Sequence, residues 1–211
     1  MEKLQKTKGL VLSKKNWRED DLLFSILTED FGKIMAVATG VKKISSKLRG
    51  HLASAGIVEI LFVQGKSFKK ITHAYLIEPI KFENSKDYYL LNVIYEILDK
   101  ATIEDDYNHG VWELTTWFCK NIVNYENFQQ RMFLLNIYLI KLCQIIGFKI
   151  NVEKTKLGQE VIDLIEQIQN TQQENFKVKK EYNRRLLVFL VRHLQNNLEQ
   201  KINSLEFINN L

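Results

Sequence analysis

The sequence predicts an α+β chain in two parts, a five-stranded β-barrel followed by an all-α helical domain. Three observations predict it. Across the first 80 residues apolar side chains recur in short runs with a period near two, and after Pro79, the only proline, the period shifts to about 3.6. The basic excess also lies entirely in the first part. Residues 1–80 hold 14 Lys and Arg against 8 Asp and Glu, whereas residues 81–211 hold 16 against 17. The expected domains are therefore 1–80 and 81–211. A charge excess confined to one module points to a polyanion contact made by that module.

Taken in order, GLVLS (9–13) is a run of β formers that ends at the charged stretch KKNWREDD. LLFSILT (22–28), the turn EDFGK and IMAVA (34–38) read as a hairpin with a Gly-containing turn. Gly40 and VKKISSKLRG break the alternation, and SSKLRGHLA has room for one helical turn. IVEILFV (57–63), the turn QGKSFK and KITHAYLI (70–77) supply two more strands. Five short strands with one longer connection after the third form the pattern of an oligonucleotide-binding (OB) barrel. An SH3-like barrel gives a similar pattern.

Beyond Pro79, Ser85 is a suitable N-cap for a helix over 86–101, whose apolar series is Tyr89, Val93, Ile94 and Ile97. The Glu104–Asp105–Asp106 run reads as a solvated acidic loop. A helix over 111–123 presents Trp112, Leu114, Trp117, Phe118 and Val123. The most apolar helix, 128–146, ends at Gly147. Amphipathic helices over 157–169 and 181–200 and a short turn at 204–210 complete the bundle. Leu187, Leu190, Val191, Leu194 and Leu198 form the stripe of the long one.

Several function classes are disfavoured. Cys119 and Cys143 each sit in an apolar helical pattern without a CxxC, so neither a disulfide framework nor a zinc knuckle is supported. No apolar run approaches the roughly 20 residues that span a bilayer, and MEKLQKTKG has no signal-peptide core. A cytoplasmic protein without membrane contact is expected. His51, His73, His109 and His193 are scattered, and no GxxxxGK[ST] occurs. No enzyme, metal or cofactor is expected, and His51 reads as a surface neighbour of phosphate.

The series GLVLS, NWREDDLLFSILTEDFGKI and AVATGVKKISSKLRGHL resembles the N-terminal domain of the bacterial RecO family of DNA repair and recombination mediators. The most specific parts are Thr28-Glu29-Asp30-Phe31-Gly32-Lys33 and the segment from Ser46 through Lys47, Leu48, Arg49, Gly50 and His51 to Leu52. The order of barrel then helices also matches, and Arg192-His193-Leu194 resembles the family's C-terminal helix. The resemblance implies a protein that binds single- and double-stranded DNA and anneals complementary strands. It also implies help in replacing single-strand DNA-binding protein with RecA, together with RecR, at the nucleoid. Whether RecF takes part stays open. Many members carry four zinc-ligating cysteines after the position of Gly147. IGFKINVEKTKLGQE has none, so no zinc module is expected. Leu22 and Thr39 stand where the family often has basic residues, which confines the expected phosphate contacts to the charged connections around them.

Single strands are held by grooves that are positive along the backbone path and offer faces for bases to stack on. The DNA-binding candidates are Lys14, Lys15, Trp17, Arg18, Lys33, Lys42, Lys43, Lys47 and Arg49. Trp17 either stacks on a base or fills a core position at a strand end. Lys66, Lys69 and Lys70 either extend the groove or protect an edge strand. The resemblance further implies a groove in the helical domain for the acidic, hydrophobic C-terminal tail of single-strand DNA-binding protein. Its candidates are Arg131, Lys141, Arg184, Arg185 and Arg192. The rival reading is a non-enzymatic adaptor whose basic barrel binds an acidic protein partner rather than DNA.

Overall fold

Alternating apolar residues build the barrel. The strands β1 (Gln5–Asn16), β2 (Leu22–Thr28), β3 (Gly32–Ala38), β4 (Gly56–Val63) and β5 (Lys69–Pro79) close in the order β1-β2-β3-β5-β4. Neighbours are antiparallel except β3 and β5, which pair in parallel through Ala36 and Val37 with Lys69 and Lys70. This is the closed five-stranded OB architecture, closed between β3 and β5 by these two pairs. The computed structural model describes residues 3–81, 85–155, 157–170 and 180–208. The chain forms two units, Met1–Phe82 with Ile94–Trp112, and Glu83–Val93 with Glu113–Leu211.

In the first unit the strands extend past their apolar cores. β1 runs from Gln5 to Asn16 because Gln5–Leu10 pairs with β4 while Gly9–Asn16 pairs with β2. Its polar ends are held by the ladder, which leaves no apolar trace in the sequence. Phe24, Ile26, Ile34, Ala36, Val58, Ile60, Phe62, Ile71 and Ala74 fill the interior, joined by Leu52 from the short helix α1 (Lys47–Ala53). Burying a leucine this fully contributes about 1.5–3 kcal/mol, and Leu48 packs against the same core, so α1 is anchored by its apolar side.

β2 is buried on both faces. Phe24 and Ile26 point inward, and Ser25, on the opposite side, donates to Asp99 at 2.5 Å. Asp99 lies on α2 (Ser85–Ala101), whose residues from Ile94 onward belong to this unit. It also accepts from Ser13 at 2.8 Å, and its carbonyl accepts from Lys33 Nζ at 2.6 Å. The acidic stretch that follows is the exposed loop expected, and it runs beside β3: the Asp105 N–H donates to the Lys33 carbonyl at 2.8 Å, and Glu104 accepts from the Met35 N–H at 3.3 Å. The physical reason is that β3 before Ala36 has no β5 partner, so its Lys33 carbonyl and Met35 N–H are completed by the Asp105 amide and the Glu104 carboxylate.

This placement explains the TEDFGK turn. Thr28 Oγ1 donates to the Gly32 carbonyl at 2.7 Å and accepts from the Phe31 N–H at 3.1 Å. Gly32 sits at φ 65°, and a Cβ there would lie 2.1 Å from the Asp106 carbonyl oxygen. Gly32→Ala is therefore expected to cost at least about 2 kcal/mol, because the left-handed backbone alone costs an L-residue roughly 1–2 kcal/mol. Urea denaturation measures it, and unchanged stability would contradict the packing of 105–107 on this turn.

The second unit is helical. It contains α3 (His109–Asn121) from Glu113 onward, then α4 (Phe128–Ile145), α5 (Gln159–Asn170), α6 (Lys180–Leu198) and α7 (Ser204–Ile208). α4 is buried through most of its length and packs against α5 and α6. The Asn127 side chain caps its start by accepting from the Gln130 N–H, and Gly147 at φ 84° ends it. Leu187, Leu190, Val191 and Leu194 form the buried stripe of α6. Burial pushes the Cys143 thiol up to about 12, so it stays protonated and inert at neutral pH.

Two apolar positions differ from the periodic reading. Tyr89 is largely exposed and stacks on Phe207 with ring centroids 4.0 Å apart, while Leu90 and Leu91 take the buried places. Val123 is exposed because the chain tightens into a 3₁₀ turn at Ile122–Asn124, which turns Ile122 inward in its stead.

Candidate nucleic-acid interface

The barrel topology gathers cations that are far apart in the sequence. β2 begins beside the ends of β1 and β3, and β3 ends beside the start of β5, where β4 ends. The connections 17–21, 39–46 and 64–68 therefore emerge together. Hydrogen bonds and a ring contact knit them. The Lys42 N–H donates to the Asp20 carbonyl at 3.0 Å, and Lys42 Nζ donates to the carbonyls of Arg18 and Glu19 at 3.2 and 3.0 Å. The Gly40 N–H donates to Asp21 Oδ1 at 2.8 Å. Trp17 meets Phe68 edge-to-face with ring centroids 4.9 Å apart.

Trp17 is 42% exposed, so of its two readings the core position does not hold. Phe68 is an aromatic at this end that the sequence reading passed over. Its signal was a lone aromatic inside the polar turn QGKSFK.

The predicted cations divide into those spent inside the protein and those left to solvent. Lys33 is directed at the Asp99 carbonyl, Lys43 pairs with Asp20 at 3.5 Å, and Lys42 is tied to the 17–21 backbone. Lys69 is 7% exposed and pairs with Asp105 at 2.5 Å, which takes it out of any groove. Lys14, Lys15, Arg18, Lys47 and Arg49, with Lys66 and Lys70 beside them, are exposed and carry no ion pair among the described residues.

Three of the nine candidates share a cleft of about 300 Å³. Lys14 from β1, Lys42 from the 39–46 connection and Arg49 from α1 stand around it, and Leu22, Val41, Leu52 and Ala53 contribute apolar surface. Leu22, read as a lost phosphate contact, lines this cleft. No local signal marks such a site, because its walls come from four segments.

His51 has a structural task. Its Nδ1 accepts from the Leu76 N–H at 3.2 Å, beside the irregularity where β5 slips against β4. Among the described residues no group of three or more His, Cys, Asp or Glu is placed to hold a metal ion, and no described helix is long and apolar enough to cross a membrane.

In the helical unit the five tail-binding candidates separate. Arg131 is buried: it pairs with the fully buried Asp87 and donates through Nε to the Tyr125 carbonyl at 2.9 Å. Its charge is neutralised internally, so it is withdrawn as a surface contact. Lys141 lies over the Trp117 ring, 5.8 Å from its centroid. Arg184, Arg185 and Arg192 are exposed.

The closed barrel with a basic, aromatic-bearing loop end defines an OB-fold protein. Residues 1–80 match the family described as Recombination protein O N terminal. The chain is 27% identical over 159 residues to the DNA repair protein RecO of Listeria monocytogenes, covering 74% of this chain and 61% of that protein. It is 38% identical over 78 residues to the DNA repair protein RecO of a Nostoc species, covering 37% and 26%. With that of Bifidobacterium longum subsp. infantis it shares 33% over 100 residues, covering 46% and 42%. Over residues 1–80 the chain is thus similar to the N-terminal domain of the RecO family. It spans about 61% of the length of the Listeria relatives.

Proposed function

We propose that this protein acts in DNA repair and recombination by holding DNA strands on the loop end of its barrel. The observation that carries the reading is the set of exposed cations without an ion pair among the described residues, Lys14, Lys15, Arg18, Lys47 and Arg49, together with the exposed Trp17. Phosphate neutralisation with counterion release needs point charges rather than base-specific geometry, and lysines supply them. A surface that holds two strands lowers their repulsion and raises their local concentration, so complementary strands pair faster without covalent chemistry. In this reading the protein binds single- and double-stranded DNA, anneals complementary strands and assists RecA loading onto strands covered by single-strand DNA-binding protein, with RecR as partner. Lys141, Arg184, Arg185 and Arg192 are the remaining candidates for the acidic tail of that protein.

A mobility-shift assay with a fluorescent oligonucleotide at low and high salt tests the reading. Binding at low salt that weakens steeply as salt rises supports it. No shift even at low salt overturns it in favour of an adaptor that binds an acidic protein.

A further inference from the structure

We infer that the cleft beside α1 holds one unstacked nucleotide of a bound strand, with its base on the apolar surface and its phosphate between Lys14 and Arg49. The inference rests on the DNA-binding reading above and names a subsite within it. The cleft volume of about 300 Å³ is at the lower end of small-molecule sites, roughly 300–1,000 Å³. It suits a single base with its sugar and not a stacked run.

Its chemistry is divided in the way a nucleotide is divided. Leu22, Val41, Leu52 and Ala53 offer apolar contact, while Lys14, Lys42 and Arg49 stand around it. Lys42 is held in place by the Arg18 and Glu19 carbonyls, so the opening is built before a ligand arrives. Lys14 and Arg49 carry no ion pair among the described residues.

Lys15, Arg18 and Lys47, close in the chain to the lining cations, are also exposed. Cations beyond those lining the cleft favour a polyanion over a compact acidic ligand that ends in it. One base removed from its stack would anchor the strand while its neighbours stay free to pair.

The test is equilibrium binding of a fluorescent oligothymidine and of an equally long strand that is abasic throughout. Both carry the same phosphates. The normal strand is expected to bind about tenfold more tightly, the scale of one base contact. Ala53 is exposed, so Ala53→Trp fills the cleft from its rim, and the normal strand then binds only as tightly as the abasic one.

Equal binding of both strands by the unaltered protein overturns the inference and leaves the DNA-binding reading standing. Failure of both strands to bind at low salt overturns that reading itself. A base preference that survives Ala53→Trp also overturns the inference. Should Ala53→Trp fail to fold, methyl spectra of the unaltered protein decide. Thymidine monophosphate is expected to shift the Leu22, Val41 and Leu52 methyls while deoxyribose 5-phosphate does not, and equal or absent shifts overturn the inference.

Discussion

Replacing Lys14, Lys47 and Arg49 together by glutamate is expected to abolish strand annealing and to flatten the salt dependence of single-strand binding. These three residues are exposed and carry no ion pair among the described residues, so their charge is available to phosphate. Each single-strand phosphate neutralised contributes about 0.7 to the slope of log affinity against log salt. Losing three contacts lowers that slope by about 2. A fourfold rise in salt then weakens the unaltered protein about 16-fold more than the variant.

Lys3, Lys6 and Lys8 provide the control. Reversing them changes net charge equally, but Lys6 and Lys8 lie in the first half of β1 and already pair with Glu59 and Glu29. If this control loses annealing as completely as the first variant, net charge rather than the loop end is responsible, and the assigned surface is wrong.

Arg131→Met is expected to destabilise the helical unit by about 3–5 kcal/mol, the cost of removing one partner from a buried ion pair. Asp87 is fully buried and Arg131 is its partner across α2 and α4. Leaving that carboxylate without the guanidinium is far worse than having neither. The double variant Asp87→Leu with Arg131→Met should therefore recover most of the loss, since apolar replacement of both members is often close to neutral. Urea denaturation followed by far-ultraviolet circular dichroism measures both. A single variant that unfolds at the same urea concentration as the unaltered protein would show that the pair contributes nothing. DNA binding through the barrel is expected to be unchanged in either variant that stays folded.

Much of the fold was legible because it depends on local pattern. β2 coincides with the apolar run LLFSILT, and the ends of α4 follow from Asn127 before it and Gly147 after it. β1 was cut short because its outer residues are polar and are ordered by pairing with β2 and β4 rather than by burial. Val123 was misplaced because a fixed 3.6 period does not anticipate a 3₁₀ turn.

The candidate site was legible in its ingredients and not in its selection. Lysines and arginines at 14–18 and 42–49 stand out by clustering alone. Which of them face solvent depends on acids elsewhere: Asp20 takes Lys43, Asp105 takes Lys69 and the Asp99 carbonyl takes Lys33. Arg131 is the clearest case. On a helical wheel it is a cation on an amphipathic helix, and only the fold brings Asp87 to it across 44 positions.

The sequence by itself determined that a basic five-stranded barrel precedes a near-neutral helical part, because strand and helix periods and charge are properties of neighbouring residues. The tertiary structure alone decided that 17–21, 39–46 and 64–68 come together, that 99–107 packs along β3, and that Lys14, Lys42 and Arg49 surround one cleft. Each of these joins residues tens of positions apart, and the register of strand pairing, not local propensity, sets which of them meet.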